Sequence, residues 1–99
     1  MWYKAAKVSD ILEGASQLVQ VSDQAVALFH IQGKFYAMQN SCPHRGGLLA
    51  EGHLEGTTAT CPWHAWQFDV KSGECHTMKG TKQKIYNTKI ERGEVYIEG

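Results

Sequence analysis

Two prolines and three cysteines are all that the 99 residues contain of either type, neither sign of charge is in excess, and long apolar runs are missing. Each shortage removes a class of protein. No stretch approaches the ~18 apolar residues of a membrane span, and Met1-Trp2-Tyr3-Lys4-Ala5 lacks the charged segment and apolar core of an export signal. A soluble, unexported chain is therefore expected. Ten basic side chains balance ten acidic ones, so no overall field draws the chain towards nucleic acid. Lys79, Lys82, Lys84 and Lys89 read as a solvated strand face. An odd number of cysteines argues against a disulfide framework and for a reducing, cytoplasmic location. Sustained apolar spacing of 3.6 is also missing. The nearest helical candidate, with Ser9 as N-cap, meets Gly14 before two turns are complete, so helix is expected to amount to a short turn.

Short β-type runs fill the space instead: Trp2 to Val8, Leu18 to Val21, Val26 to Ile31, Phe35 to Gln39, Thr57 to Thr60, Gln67 to Val70, Ile85 to Ile90 and Val95 to Ile97. Gln32-Gly33, Ser72-Gly73 and Arg92-Gly93 separate successive runs, where glycine supplies the positive φ of a hairpin turn. The expected fold is all-β and antiparallel. One domain over residues 1–99 is expected, because no linker, repeat or low-complexity segment divides the chain. Trp2 and Tyr3 are expected in the core.

Two stretches break the rhythm, Asn40 to Gly52 and Cys61 to Trp66. They carry Cys42-Pro43-His44 and Cys61-Pro62-Trp63-His64, so both prolines of the chain directly follow a cysteine and stiffen a turn there. Cys42, His44, Cys61 and His64 form a metal-ligand pattern, Cys-x-His-x16-Cys-x-x-His, in which each loop offers one thiolate and one imidazole. A mononuclear zinc site usually closes with like pairs at matched spacing. A two-iron, two-sulfide cluster accounts for the mixed set better, with Cys42 and Cys61 on one iron and His44 and His64 on the other. A structural zinc module is the simpler rival, and metal and acid-labile sulfide analysis separates the two.

With the neighbouring Arg45-Gly46-Gly47 and Ala65-Trp66-Gln67-Phe68-Asp69, the motifs resemble those of Rieske-type 2Fe-2S ferredoxins. The resemblance implies a small antiparallel β-sandwich with a cluster-binding subdomain, about residues 40–70, whose two loops clasp one 2Fe-2S cluster at one tip. It implies a soluble one-electron carrier, monomeric when alone, that takes electrons from a reductase and passes them to a terminal oxidoreductase such as a ring-hydroxylating oxygenase. No substrate chemistry of its own is expected, nor any nucleic-acid or membrane partner. The alternative within the same family is the small subunit of a larger, nitrite-reductase-like complex. An oxygenase catalytic chain is excluded, because a second, mononuclear iron needs two histidines and a carboxylate. Downstream of the motifs only His76 remains.

Two ferric ions, two sulfides and two thiolates sum to about zero charge, where four thiolates would leave minus two. The extra electron is therefore accepted more readily than by an all-cysteine cluster, within roughly −150 to +300 mV. By the resemblance, high-potential members carry a disulfide between the loops and hydroxyl donors to the cluster. Gly47 and Trp63 stand here for the two cysteines, Trp66 for the serine and Phe68 for the tyrosine, which places the expectation at the low-potential end. Histidine ligation further predicts a potential that declines at high pH. Leu48 and Trp63 are candidates for an apolar lid, and Arg45 for a contact with the reduced state or an acidic partner. His30 and His53 read as structural or solvated. Cys75 reads as a core or edge residue whose neighbour His76 points to the opposite face, so the two cannot chelate one metal.

Overall fold

The computed structural model describes residues 1–40, 52–62, 66–77 and 80–99. Among these residues, ten strands form three antiparallel sheets. The first sheet orders β1 (Trp2–Lys7), β10 (Glu94–Glu98) and β9 (Thr88–Glu91). The second orders β2 (Ser16–Val21), β3 (Gln24–Ile31), β4 (Lys34–Gln39) and β8 (Ile85–Tyr86). The third orders β5 (His53–Glu55), β6 (Thr58–Thr60) and β7 (Gln67–Asp69). No helix among the described residues is long and apolar enough to cross a membrane. A three-residue 3-10 turn, Val8–Asp10, is the short helical turn expected, and it starts two residues earlier than expected: Lys7, not Ser9, is the N-cap, and its N–H donates to the Asp10 carboxylate.

Why β3 reads as the almost unbroken apolar run Ala25-Val26-Ala27-Leu28-Phe29 follows from where its two faces go. Val26 and Leu28 enter one core cluster with Ala6, Val95 and Ile97 of the first sheet. Ala27, Phe29 and Ile31 enter a second cluster with Ala59, Phe68, Val70 and Cys75 around the third sheet. Successive side chains of a strand point to opposite faces, so a strand covered on both sides loses the usual polar alternation. β4 divides the same way, Phe35 and Ala37 to the first cluster and Met38 to the second. β2 keeps one wet face, with Leu18 and Gln20 exposed opposite Val19 and Val21.

Gln32-Gly33 and Arg92-Gly93 each hold two consecutive positive φ values, 51° with 77° and 52° with 77°, the conformation that suits a two-residue hairpin. Ser72-Gly73 is a turn as well, but it returns the chain to Cys75, which bridges Phe68 of β7, and not to the next expected run. Other expectations need correction. The run Ile85 to Ile90 is two strands in two sheets, parted at Asn87, whose carbonyl accepts from Glu98 N–H and whose amide donates to the Glu98 carboxylate. Residues 53–55, which lie in none of the expected runs, form β5. Trp2 is 37% exposed and lies under the Lys89 ammonium, 4.5 Å from its ring centroid, so it is a surface aromatic; Tyr3 does pack against the first cluster.

Candidate metal centre

Of the four expected ligands the described residues include one. Cys61 follows β6 directly, is 1% exposed, and belongs to the second core cluster with Ala59, Phe68, Val70 and Cys75. Its N–H donates to the Trp66 carbonyl at 2.7 Å, closing the ends of the segment 61–66 just beyond the Thr60↔Gln67 pair of β6 and β7. The second expected loop is therefore the connection of an antiparallel β-hairpin, β6 to β7. Cys42, His44 and His64 lie outside the described residues, as do Pro43, Arg45, Gly46, Gly47, Leu48, Trp63, Ala65 and Lys79.

The two ends of the first stretch are described, and both are fastened. At its entry Gln39 N–H donates to the Lys84 carbonyl and Asn40 N–H to the Ala25 carbonyl, while the Gln83 side-chain amide donates to the Gln39 carbonyl at 2.7 Å. Asn40 and Gln83 are buried, at 1% and 3% exposure. Buried amides are costly unless their polar atoms are satisfied, so such pairs fix a single arrangement of the chain around them. At its exit Gly52 lies against the start of the second loop: a Cβ on it would stand 1.9 Å from the Thr60 carbonyl oxygen and 3.2 Å from Cδ of Pro62.

The other histidines sit elsewhere. His30 is half-buried, stacked on Phe35 with 4.3 Å between ring centroids, and its Nδ1 is 2.7 Å from the Ile11 carbonyl oxygen, a structural role. His53 is exposed beside Glu55. His76 is exposed while Cys75 is buried, so the two point apart. Among the described residues no three His, Cys, Asp or Glu side chains converge on one point. Trp66 packs against the second cluster and Phe68 lies wholly inside it, and neither side chain carries a hydroxyl to offer a bound group.

The donor chemistry fits an iron–sulfur group. A thiolate buried among apolar side chains is strongly disfavoured, because burial penalises the charged form, unless a cation beside it takes up the charge. A bound metal deprotonates a coordinating thiol outright. Cys61, enclosed and at the mouth of a tight loop, suits that role and does not suit the role of an exposed reactive thiol.

The family model described as "Rieske [2Fe-2S] domain" matches residues 1–91. The chain is 38% identical over 98 residues, 98% of its length and 94% of the relative's, to the ferredoxin component of the naphthalene 1,2-dioxygenase system of Pseudomonas putida. It is 33% identical over 96 residues, 95% of its length and 90% of the relative's, to the 3-phenylpropionate/cinnamic acid dioxygenase ferredoxin subunit of Escherichia coli (strain K12). Among solved structures, a complex of reduced oxygenase and oxidized ferredoxin in carbazole 1,9a-dioxygenase contains a chain that superposes with a TM-score of 0.89 at 28% identity, covering 97% of this chain and 91% of that one.

Proposed function

Since the chain belongs to the Rieske [2Fe-2S] domain family, we propose that it is the electron-carrying ferredoxin of an oxygenase system, with Cys42, His44, Cys61 and His64 as the ligands of its cluster. The observation that carries this reading is near-complete coverage by relatives named ferredoxin components of dioxygenase systems. The 38% and 33% identity to those relatives favours a separate carrier over the small subunit of a nitrite-reductase-like complex. Residues 1–99 act as one domain, of which residues 40–70 are the cluster-binding part. The chain works in the cytoplasm as a monomer between a reductase and a terminal oxidoreductase, and it catalyses no reaction on a substrate.

When bound, the cluster supplies reversible one-electron transfer. The protein's part is to hold, orient and shield. The Cys61 thiolate supplies one of the two negative charges that bring the ligand set to neutrality with the irons and sulfides. The second core cluster keeps water from that sulfur, with Phe68 and Ala59 fully buried beside it. Phe68 and Trp66 give no hydroxyl donor to a negative charge, which favours the low-potential end of the Rieske range.

Iron and acid-labile sulfide analysis of anaerobically purified protein should find two of each per chain, and the reduced protein should give a Rieske-type EPR spectrum with a potential below zero. Cys61→Ala should abolish both iron and sulfide. Retention of the full cluster in that variant would remove Cys61 from the ligand set, and one zinc with no sulfide in the parent protein would overturn the whole reading.

A further inference from the structure

We propose that Gly52 is a positioning residue that locks the exit of the first ligand loop onto the entry of the second. The inference rests on the ligand assignment above and concerns a residue outside it. What excludes a side chain is contact: the Cβ position is 1.9 Å from the Thr60 carbonyl oxygen, far inside any non-bonded approach, and the obstacle is backbone, which cannot rotate away.

Register explains why this contact sits where it does. β5 and β6 pair antiparallel through Glu55↔Thr58, Leu54↔Ala59 and His53↔Thr60. One step further along the same register brings Gly52 opposite Cys61. The chain leaving the first loop thus runs against the residue that begins the second. Thr60 is held from the other side by its pairing with Gln67 and by the Cys61 to Trp66 hydrogen bond. Pro62 stiffens the next peptide. Gly52 therefore presses on an element with little freedom to yield, and any Cβ there must drive the two loop ends apart. Metal-centre geometry is sensitive to the residues that orient its ligands, and a displaced loop end moves the cage as a whole.

Gly56 provides the matched control. It lies at the turn joining β5 to β6, at φ +59°, with open space where a Cβ would stand. Gly56→Ala costs stability through backbone strain but touches neither loop. Both variants should be purified with the cluster and compared with the parent by reduction potential, EPR g values and rate of cluster loss in air. Gly52→Ala should shift the potential and the g values and release the cluster at least about tenfold faster, while Gly56→Ala lowers the melting temperature and leaves potential and g values unchanged. Parent-like potential and g values in Gly52→Ala, or an equal shift in Gly56→Ala, would overturn the proposal. Should Gly52→Ala prove too unstable to purify, whole-cell EPR of reduced cells expressing the variant at low temperature supplies the g values, with the same criteria. A parent protein without iron and sulfide would instead refute the ligand assignment.

Discussion

Phe68→Ala offers a severe test of how the ligand hairpin is held. Phe68 is 0% exposed at the centre of β7, pairs with Ala59 across the hairpin, bridges Cys75, and belongs to the second core cluster alone. Truncating a buried phenylalanine costs about 3–5 kcal/mol, part of it lost transfer energy and part the cavity left behind. A chain of this size has a total stability of roughly 5–15 kcal/mol, so a large share would go. At about 4–8 °C per kcal/mol for a domain of this length, the melting midpoint should fall by at least about 12 °C. Leu28→Ala, in the first cluster, should cost a comparable ~2–5 kcal/mol. The two should differ in order of events. In Phe68→Ala the visible absorbance of the cluster should bleach at a lower temperature than the far-UV circular dichroism collapses, because the hairpin carrying Cys61 loosens first. In Leu28→Ala the two signals should fall together. A loss below about 1 kcal/mol in Phe68→Ala, or coincident transitions, would refute the claim that this side chain anchors the ligand hairpin.

Removing the Glu13 carboxylate should alter the acid side of the stability curve. It accepts the N–H groups of Gln32 and Gly33 at the β3–β4 turn, and these bonds, the Gln32 one foremost, hold its pKa below the ordinary carboxylate value. A depressed folded pKa contributes stability above the unfolded pKa and loses it as pH falls through the folded one. Glu13→Ala should therefore be less stable than the parent at pH 7, and denaturant titrations should show the gap closing on acidification below the usual carboxylate range; a gap constant with pH would disprove the linkage. Thr88→Val tests the tie between the first and second sheets, where Thr88 Oγ donates to the Phe35 carbonyl at 2.7 Å. Urea unfolding should register a loss of about 1 kcal/mol, and no loss would show that the hydroxyl holds nothing.

How much of this was legible in the residues depended on whether the deciding contacts were local. The two cysteine–histidine turns are written within three and four residues, so their chemistry could be read at once. The hairpins at Gln32-Gly33 and Arg92-Gly93 were legible for the same reason, since turn conformation is a property of the dipeptide. The division of 85–90 into two strands was not, because Ile85, Tyr86, Thr88 and Ile90 keep strand character across Asn87, and the switch depends on Glu98, eleven residues away. β5 was hidden by polarity, as His53 and Glu55 are exposed and only Leu54 packs inward. The double burial of β3 was present as a pattern, yet an apolar run does not say which sheets cover it. Gly52, like Gly46 and Gly47, could be read as permitting a close backbone approach, but not which one, because a carbonyl eight residues on leaves no mark on its neighbours in sequence.

A carrier that only gains and loses an electron gains nothing from mobile ligands, because any ligand movement between the two redox states adds to the barrier for transfer. Preorganised surroundings avoid that cost. The architecture supplies rigidity by making one pair of strands serve two cores. β3 and β4 close the first cluster with one face and the second cluster with the other, so the third sheet cannot shift without disturbing side chains whose backbone also seals the first. From that doubly held sheet the entry of the first loop is fastened by Gln83 and the Asn40 N–H, and its exit is pressed onto Thr60 by Gly52. The second loop closes on itself through Cys61 and Trp66. Both stretches that carry the proposed ligands thus start and end on fixed points that owe nothing to a metal, and a small chain with few residues to spare has placed its buried amides, Asn40 and Gln83, where those points need them.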